Sequence, residues 1–316
     1  MFSAREQRVN PGGLPARIPR LFRVGLAGLV ILILGAQEAA SPSVSAFDPP
    51  PELARRLTAI GGFAHPSPMV AIPAGWFLMG TNRKDDDPFA PATQFDDTEQ
   101  PQRRIWLDAY EMDRDEVTLA EYLAFLRRQH RQAPAELQQL IWHLITVHFT
   151  TDPVLAPWPA LYVTWAEAAD FCEGLGKRLP TEAEWEKAAR GSEGNLFPWG
   201  QTDPTPELAV FGRHHVHEIP LVAAVDSGEE GRSPYGLHHM AGNVAEWVQD
   251  WFGTDYYPMM PERNPQGPAE GRYKVVRGGS WRSHAPMLRA ATRGGALPEQ
   301  RAPTVGFRCA RSGSAR

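Results

Sequence analysis

Apolar residues fall in short runs broken by Gly and Pro, and the helices announce themselves by their first turns. Thr118 with Glu121, Thr164 with Glu167, and Thr181 with Glu184 share one spacing. In such a capping box, hydroxyl and carboxylate each satisfy an open backbone N–H at the helix start. The first helix runs to about Gln129, with Tyr122, Phe125 and Leu126 on one face. The second ends near Leu175 and Gly176, and the third stops at Gly191. Lys177-Arg178-Leu179-Pro180 joins those two into a compact αα unit anchored by Trp165, Phe171 and Trp185. Leu137, Leu140, Ile141, Leu144 and Ile145 recur at helical spacing and predict a helix over residues 134–149. Residues 51–61 form a short helix on a tether.

Strands are shorter. Residues 69–80 read as two of them around a Pro-Ala-Gly turn, and in residues 103–110 Ile105, Leu107 and Ala109 alternate with other positions. Residues 273–277 read as a strand before a Gly turn, and residues 306–311 as the last strand. Residues 197–236 are irregular.

The amino terminus differs from all of this. Arg17, Arg20 and Arg23 precede an uncharged run of 14 residues, 24–37. That is short for a span of ~20 residues but suits a signal h-region. Val44-Ser45-Ala46 places small residues where signal peptidase reads. The sequence therefore predicts export to the periplasm or cell envelope, with residues 1–46 as signal peptide or membrane anchor. Residues 47–68 are a linker with a short helix, and 69–316 the folded domain.

Composition narrows the class. Ten Trp, 28 Gly and 30 Pro describe a loop-rich body, not a helical bundle or a doubly wound sheet. Net charge is −5, and without the five Arg and two Glu of residues 1–46 it is −8. No cation excess exists to release counterions, so nucleic acid is not an expected partner.

Candidate chemistry centres on residues 233–251. Two turns, at Ser233-Pro234 and Gly242-Asn243, sit beside Glu246, Trp247 and Trp251. Carbonyls gathered by turns around a carboxylate suit calcium, whereas the plainer reading is a turn with core indoles. Asp85, Asp86 and Asp87 read as a solvated loop. His143 and His148 are five apart, too far round to share a helical face, and read as ordinary packing or surface residues. His214, His215 and His217 form a weak transition-metal signal and read as a surface loop.

Taken in order, several short motifs carry a resemblance. They are Ile72-Pro73-Ala74-Gly75 with Met79-Gly80, Glu116-Val117-Thr118 with Glu121-Tyr122, and Gly176-Lys177-Arg178-Leu179-Pro180-Thr181-Glu182-Ala183-Glu184-Trp185-Glu186. Pro198-Trp199-Gly200, Gly242-Asn243-Val244 with Glu246-Trp247, Arg277-Gly278-Gly279-Ser280 and Gly306-Phe307-Arg308 follow. The ordered set resembles the formylglycine-generating enzyme (sulfatase-modifying factor) family over residues 69–311. The resemblance implies an α+β fold related to C-type lectins, loop-rich, with bound calcium.

It also sets a test of activity. Oxidase members convert a substrate cysteine to formylglycine through two cysteines after the Arg-Gly-Gly-Ser turn, which bind copper. Those positions fall on Ser283 and Leu288, and Ala245 stands where the family has Trp. The copper route is therefore not expected, nor is the iron-dependent sulfur-transfer chemistry, whose extra helical domain has no room before residue 69. Of one calcium site, Gly242, Val244 and Glu246 persist, but His239 replaces an oxygen ligand, so the site is degraded. Val210 takes the place of an Asn ligand at the other. No further cofactor is implied.

The resemblance also pairs Cys172 with Cys309 in a disulfide. It places Ser280, Trp281, Arg282, Ser283, His284, Arg289 and Arg293 around a cleft suited to a carboxylate or peptide. Arg289 and Arg293 carry a second reading as scaffold ion pairs. Two functions follow. One is an accessory or maturation factor binding a protein or peptide, with the membrane reached only through the N-terminal segment. The other is a tailoring enzyme acting on a peptide or peptide-derived metabolite, with His284 as acid/base.

Overall fold

A computed structural model describes residues 47–83, 97–213 and 221–313. The N-terminal segment 1–46, Asp85, Asp86 and Asp87, and His214, His215 and His217 lie outside the described residues.

Helix α1 (Pro51–Gly61) comes first, started by a proline in its first turn. Strands β1 (Met69–Ile72) and β2 (Gly75–Met79) follow, then β3 (Arg103–Leu107) and β4 (Tyr110–Asp113). Helices α2 (Leu119–Arg128), α3 (Ala135–Val147), α4 (Asp152–Leu155), α5 (Trp165–Glu173) and α6 (Glu182–Arg190) come next. Strand β5 (Ala245–Trp251), helix α7 (Tyr256–Met259) and strands β6 (Lys274–Arg277), β7 (Arg293–Ala296), β8 (Val305–Gly306) and β9 (Ala310–Ser312) complete the order. Capping boxes are formed at Thr118, Thr164 and Thr181, with both reciprocal bonds present.

The strands make three small sheets. β1, β4 and β9 form one, β2 and β3 a second, and β7, β6, β5 and β8 a third in which only β5 and β8 run parallel. The Pro-Ala-Gly turn therefore does not close a hairpin. β1 pairs with β4, whereas β2 pairs with β3, because Pro73 and Gly75 turn their carbonyls to the ammonium of Lys187 instead. Likewise, the strand expected over 103–110 breaks at Asp108 and Ala109 and serves two sheets. The expected last strand breaks at Phe307-Arg308-Cys309, whose side chains are all buried.

Helix α6 occupies the centre, and each of its nine residues is buried. Trp185 and Ala189 pack in the cluster that also holds Phe77, Ile105, Met112 and Val275. A larger cluster joins α1, α2, α3 and α5 to Trp247, Val305 and Phe307. Trp247 fixes itself there by donating its indole N–H to the Val163 carbonyl at 2.9 Å. Of the three predicted anchors, Phe171 and Trp185 are fully buried. Trp165 is only partly so, because it forms one side of a clamp. The Lys274 ammonium lies 3.9 Å from both the Trp165 and Trp251 rings and donates to the Gln249 carbonyl at 2.8 Å. Such cation–π pairs hold a charge that burial disfavours.

The His143 and His148 rings meet edge to face at 5.3 Å, closer than a continuous helix allows. Helix α3 ends at Val147, and the non-helical backbone at His148 carries its ring back toward His143.

Cys172 on α5 and Cys309 before β9 are joined in a disulfide across 137 residues. A cross-link over so long a loop restricts the unfolded chain by roughly 4–5 kcal/mol on the chain-entropy model. Replacing both cysteines by serine should lower unfolding free energy by about 3–5 kcal/mol in denaturant titrations. The native protein should show no titratable thiol until it is reduced.

Candidate functional site

The Arg-Gly-Gly-Ser turn divides inward from outward side chains. Arg277, the last residue of β6, points in, and its guanidinium donates to Glu186 and to the carbonyls of Ala290, Ala291 and Thr292. Gly278 and Gly279 then take positive φ (89° and 70°). A side chain on Gly278 would meet the Trp185 ring, and one on Gly279 the Leu288 methyl. The turn thus presses the following loop against the core.

In that loop, the Ser280 N–H donates to Ser283 Oγ at 3.0 Å, and Ser283 N–H donates back to the Ser280 carbonyl at 2.9 Å. Ser280 and Trp281 are buried, and the Trp281 indole N–H is taken by the Pro303 carbonyl at 2.9 Å. Arg282 and His284 stand exposed. Ser283 lies with Ala245, Gly278, Met287 and Thr292 around a crevice of only about 20 Å³. Leu288, fully buried, packs with Phe197, Ala209 and Ala241.

Arg289 and Arg293 border cavities, but their guanidiniums are engaged by carboxylates of the interior. Arg289 forms a two-pronged ion pair with Glu99 at 2.6 and 2.8 Å. Arg293 does the same with Glu182 at 2.7 and 2.8 Å and also donates to the Thr98 and Gly253 carbonyls. Both guanidiniums are buried, so their assignment as ligand contacts is corrected to scaffold. Trp281 moves to the same class, while Ser283, Arg282 and His284 are the members of the expected set with exposed surface.

Glu246 is a buried carboxylate held mainly by side-chain donors. Both of its oxygens accept from Arg308 at 2.7 Å, and Oε2 also accepts the Trp185 indole N–H at 2.9 Å. Arg308 further donates to the carbonyls of Asp113, Arg114 and His238. A guanidinium on both oxygens would repel a divalent cation, so this donor set does not fit calcium. The N–H groups of Gly242 and Val244 tie this turn to its neighbours. The Gly242 N–H donates to the Gly278 carbonyl, and the Val244 N–H to Glu116 Oε1.

Beside them Asn243 is a junction. Its backbone N–H donates to the Val210 carbonyl and its own carbonyl accepts from Trp281 N–H. The side-chain amide donates to Glu116 at 2.6 Å and accepts from Ala223 N–H at 2.9 Å. Glu116 enters the sequence reading only as part of the Glu116-Val117-Thr118 motif, which does not show that it is buried. Burial, with the Glu246 carboxylate nearby, pushes it well above the usual carboxylate range. His239 also turns inward. Its Nε2–H donates to the Ala224 carbonyl at 3.1 Å, and burial holds its pKa down at about 4.

These environments make graded predictions for two neighbouring carboxylates. Glu246→Gln strips the counter-charge from buried Arg308 and should cost about 3–5 kcal/mol in unfolding free energy. Glu116→Gln removes no counter-charge from a guanidinium, but its amide cannot accept from both Asn243 and the Val244 N–H, so it should cost less, about 1–3 kcal/mol. His239 adds a pH dependence. The unfolded chain takes up a proton below pH ~6.5, while the folded ring stays neutral down to about 4. Its contribution to stability is therefore lost as pH falls from about 6.5 towards 4, up to about 3 kcal/mol. Unfolding titrations at neutral and acidic pH should show this slope flattened in His239→Asn.

Comparison with known proteins agrees with this geometry. Residues 62–313 match the family described as the sulfatase-modifying factor enzyme 1-like domain. Formylglycine-generating enzyme of Mus musculus is 32% identical over 290 residues, covering 77% of this chain and 74% of that protein. Inactive C-alpha-formylglycine-generating enzyme 2 of Mus musculus is 28% identical over 300 residues, 79% of this chain and 88% of its own length. Among solved structures, PvdO from Pseudomonas aeruginosa is similar in fold, with a TM-score of 0.59 and 22% identity. That similarity covers 79% of this chain and 99% of that one. The described architecture is accordingly the α+β fold of these proteins, consistent with a relation to C-type lectins. The chain belongs to the sulfatase-modifying factor family, whose formylglycine-generating members it resembles over most of its length.

Proposed function

We propose that this chain is an exported accessory or maturation factor of the cell envelope, which holds a protein or peptide partner and does not oxidise cysteine. One observation carries the reading. The two positions after the Arg-Gly-Gly-Ser turn that the family's oxidases fill with cysteines hold Ser283 and Leu288. Neither a hydroxyl nor an alkyl group supplies a soft ligand for copper. Leu288 is also committed to packing, with no exposed surface. The crevice beside Ser283, about 20 Å³, barely admits one water. A similar relative described as inactive gives this reading a precedent within the family. The surface left for a partner is Arg282 and His284 on the rim, around Ser283. Arginine on such a rim favours a carboxylate or an extended peptide.

The tailoring-enzyme reading rests on His284 alone as an acid/base group, and the same experiment separates the two. The purified, oxidised chain is given copper, oxygen and cysteine-containing peptides, and the products are read by mass spectrometry. No formylglycine and no other mass change is expected. A photo-crosslinker placed at Arg282 should meanwhile join a defined peptide or protein partner, and Arg282→Glu should weaken that partner about tenfold. Turnover of any peptide would overturn the accessory reading.

A further inference from the structure

The helical layer at the start of the described chain carries features that the cleft does not use. Phe47 packs on the same core cluster as α1, α2 and α3, so the chain enters the fold against this layer. Only nine residues separate it from the end of the uncharged run at Gln37, a reach of about 30 Å when fully extended. With residues 1–46 retained as the anchor, this layer stays within that reach of the run.

The layer's cations fall into two groups. Arg55 pairs with Glu52, Arg56 with Asp152, and Arg131 with Glu167 and Asp170. Arg127, Arg128 and His130, at the end of α2, are exposed and make no ion pair with any described residue. Between α1 and this corner lies an open cavity of about 460 Å³. Leu57, Leu123 and Leu126 supply its apolar wall, and Arg127 and His130 line it as well. Beyond α3, Val147 is 53% and Phe149 83% exposed. Phe149 holds a positive φ of 53°, a conformation that bulky side chains rarely adopt. Arg56 and Asp152 tie α4, just after Phe149, to α1.

The helix dipole explains why cations suit the end of α2. It does not explain an apolar-walled cavity beside them, or a phenylalanine in solvent on the same layer. Cations with projecting apolar side chains are what an anionic bilayer surface recognises: phosphates meet the charges, and the aromatic enters the headgroup boundary. We infer that this face, formed by α1, the end of α2 and the end of α3, rests on an anionic phospholipid surface. Lipid phosphates meet Arg127, Arg128 and His130 there. The inference rests on the export reading for residues 24–37, in that the same membrane holds both.

The test uses the full chain with vesicles of phosphatidylcholine, with or without phosphatidylglycerol. Gln132→Cys, beside the cavity, is labelled with a fluorophore while the two native cysteines stay bridged. Nitroxide on the lipid headgroups reports proximity by quenching. Quenching is expected with the anionic vesicles and should fall sharply in high salt. Each arginine strengthens such contact roughly fivefold, so replacing Arg127 and Arg128, with His130 alongside them, by Gln should reduce quenching to the neutral-vesicle level. Phe149→Ser should weaken it without removing the salt dependence. Flotation with vesicles but no quenching overturns this face and leaves the anchor standing. Failure to float with either vesicle overturns both readings. Equal quenching on neutral and anionic vesicles, or quenching unchanged in the triple variant, also overturns the inference. Crosslinking from the same position to an envelope protein and not to lipid would do so as well.

Discussion

A charged helix in the middle of the molecule sets the terms for everything around it. Glu182, Glu184, Glu186, Lys187 and Arg190 of α6 are all buried, so each must find a partner inside. Glu182 finds Arg293, Glu184 finds Arg178, and Glu186 finds Arg277, Arg190 and the Gly80 N–H. Lys187 takes carbonyls from Pro73 and Gly75, and Trp185 donates to Glu246. Removing one member of such a pair leaves an uncompensated charge in low dielectric, which costs far more than the pair itself contributes. Six separate segments are thereby held to one helix.

This explains why the motifs occur together in order. The Pro-Ala-Gly, Met-Gly, Arg-Gly-Gly-Ser and Thr-Glu-Ala-Glu-Trp-Glu pieces are partners in one network around α6. Gly306-Phe307-Arg308 and Gly-Asn-Val with Glu246 are joined to it through Trp185. Chemistry in the family depends on the loop after the turn, whose outward positions make few of these bonds. Ser283 keeps some exposed surface on this loop, whereas Leu288 and Ala245 are buried and meet the interior by apolar packing, outside the ion-pair network. A sequence match built on the network reports the scaffold, and the outward loop has to be read residue by residue.

Local features were the legible part of the fold. Three capping boxes, the ends of α5 and α6, and the periodic face of α3 depend on residues three or four apart, and the structure has them where the spacing placed them. Pairing across the chain was not legible: nothing in residues 69–80 says that β1 and β2 seek different sheets. Buried charge was the larger omission. The spacing marked Glu184 as a cap but not the burial of Glu182 and Glu186, and it left Arg289 and Arg293 between cleft and scaffold, because a sequence shows a charge without its partner. Glu99, which pairs with Arg289 from 190 residues away, offers no local signal at all. At the candidate site, the substituted residues were legible through the resemblance. The burial of Leu288 against Phe197 and the guanidinium on Glu246 were not.

The bonds made by Arg308 also bear on how the domain comes into being. Its partners lie 62, 70, 194 and 195 residues earlier, and the neighbouring cysteine reaches back 137. Contacts of such separation form late, after large entropy losses in closing the intervening loops. Until residues 305–309 arrive, Glu246 has no cation and α5 no tether. The buried charge of Glu246 is therefore compensated only once segments this far apart in the chain have met.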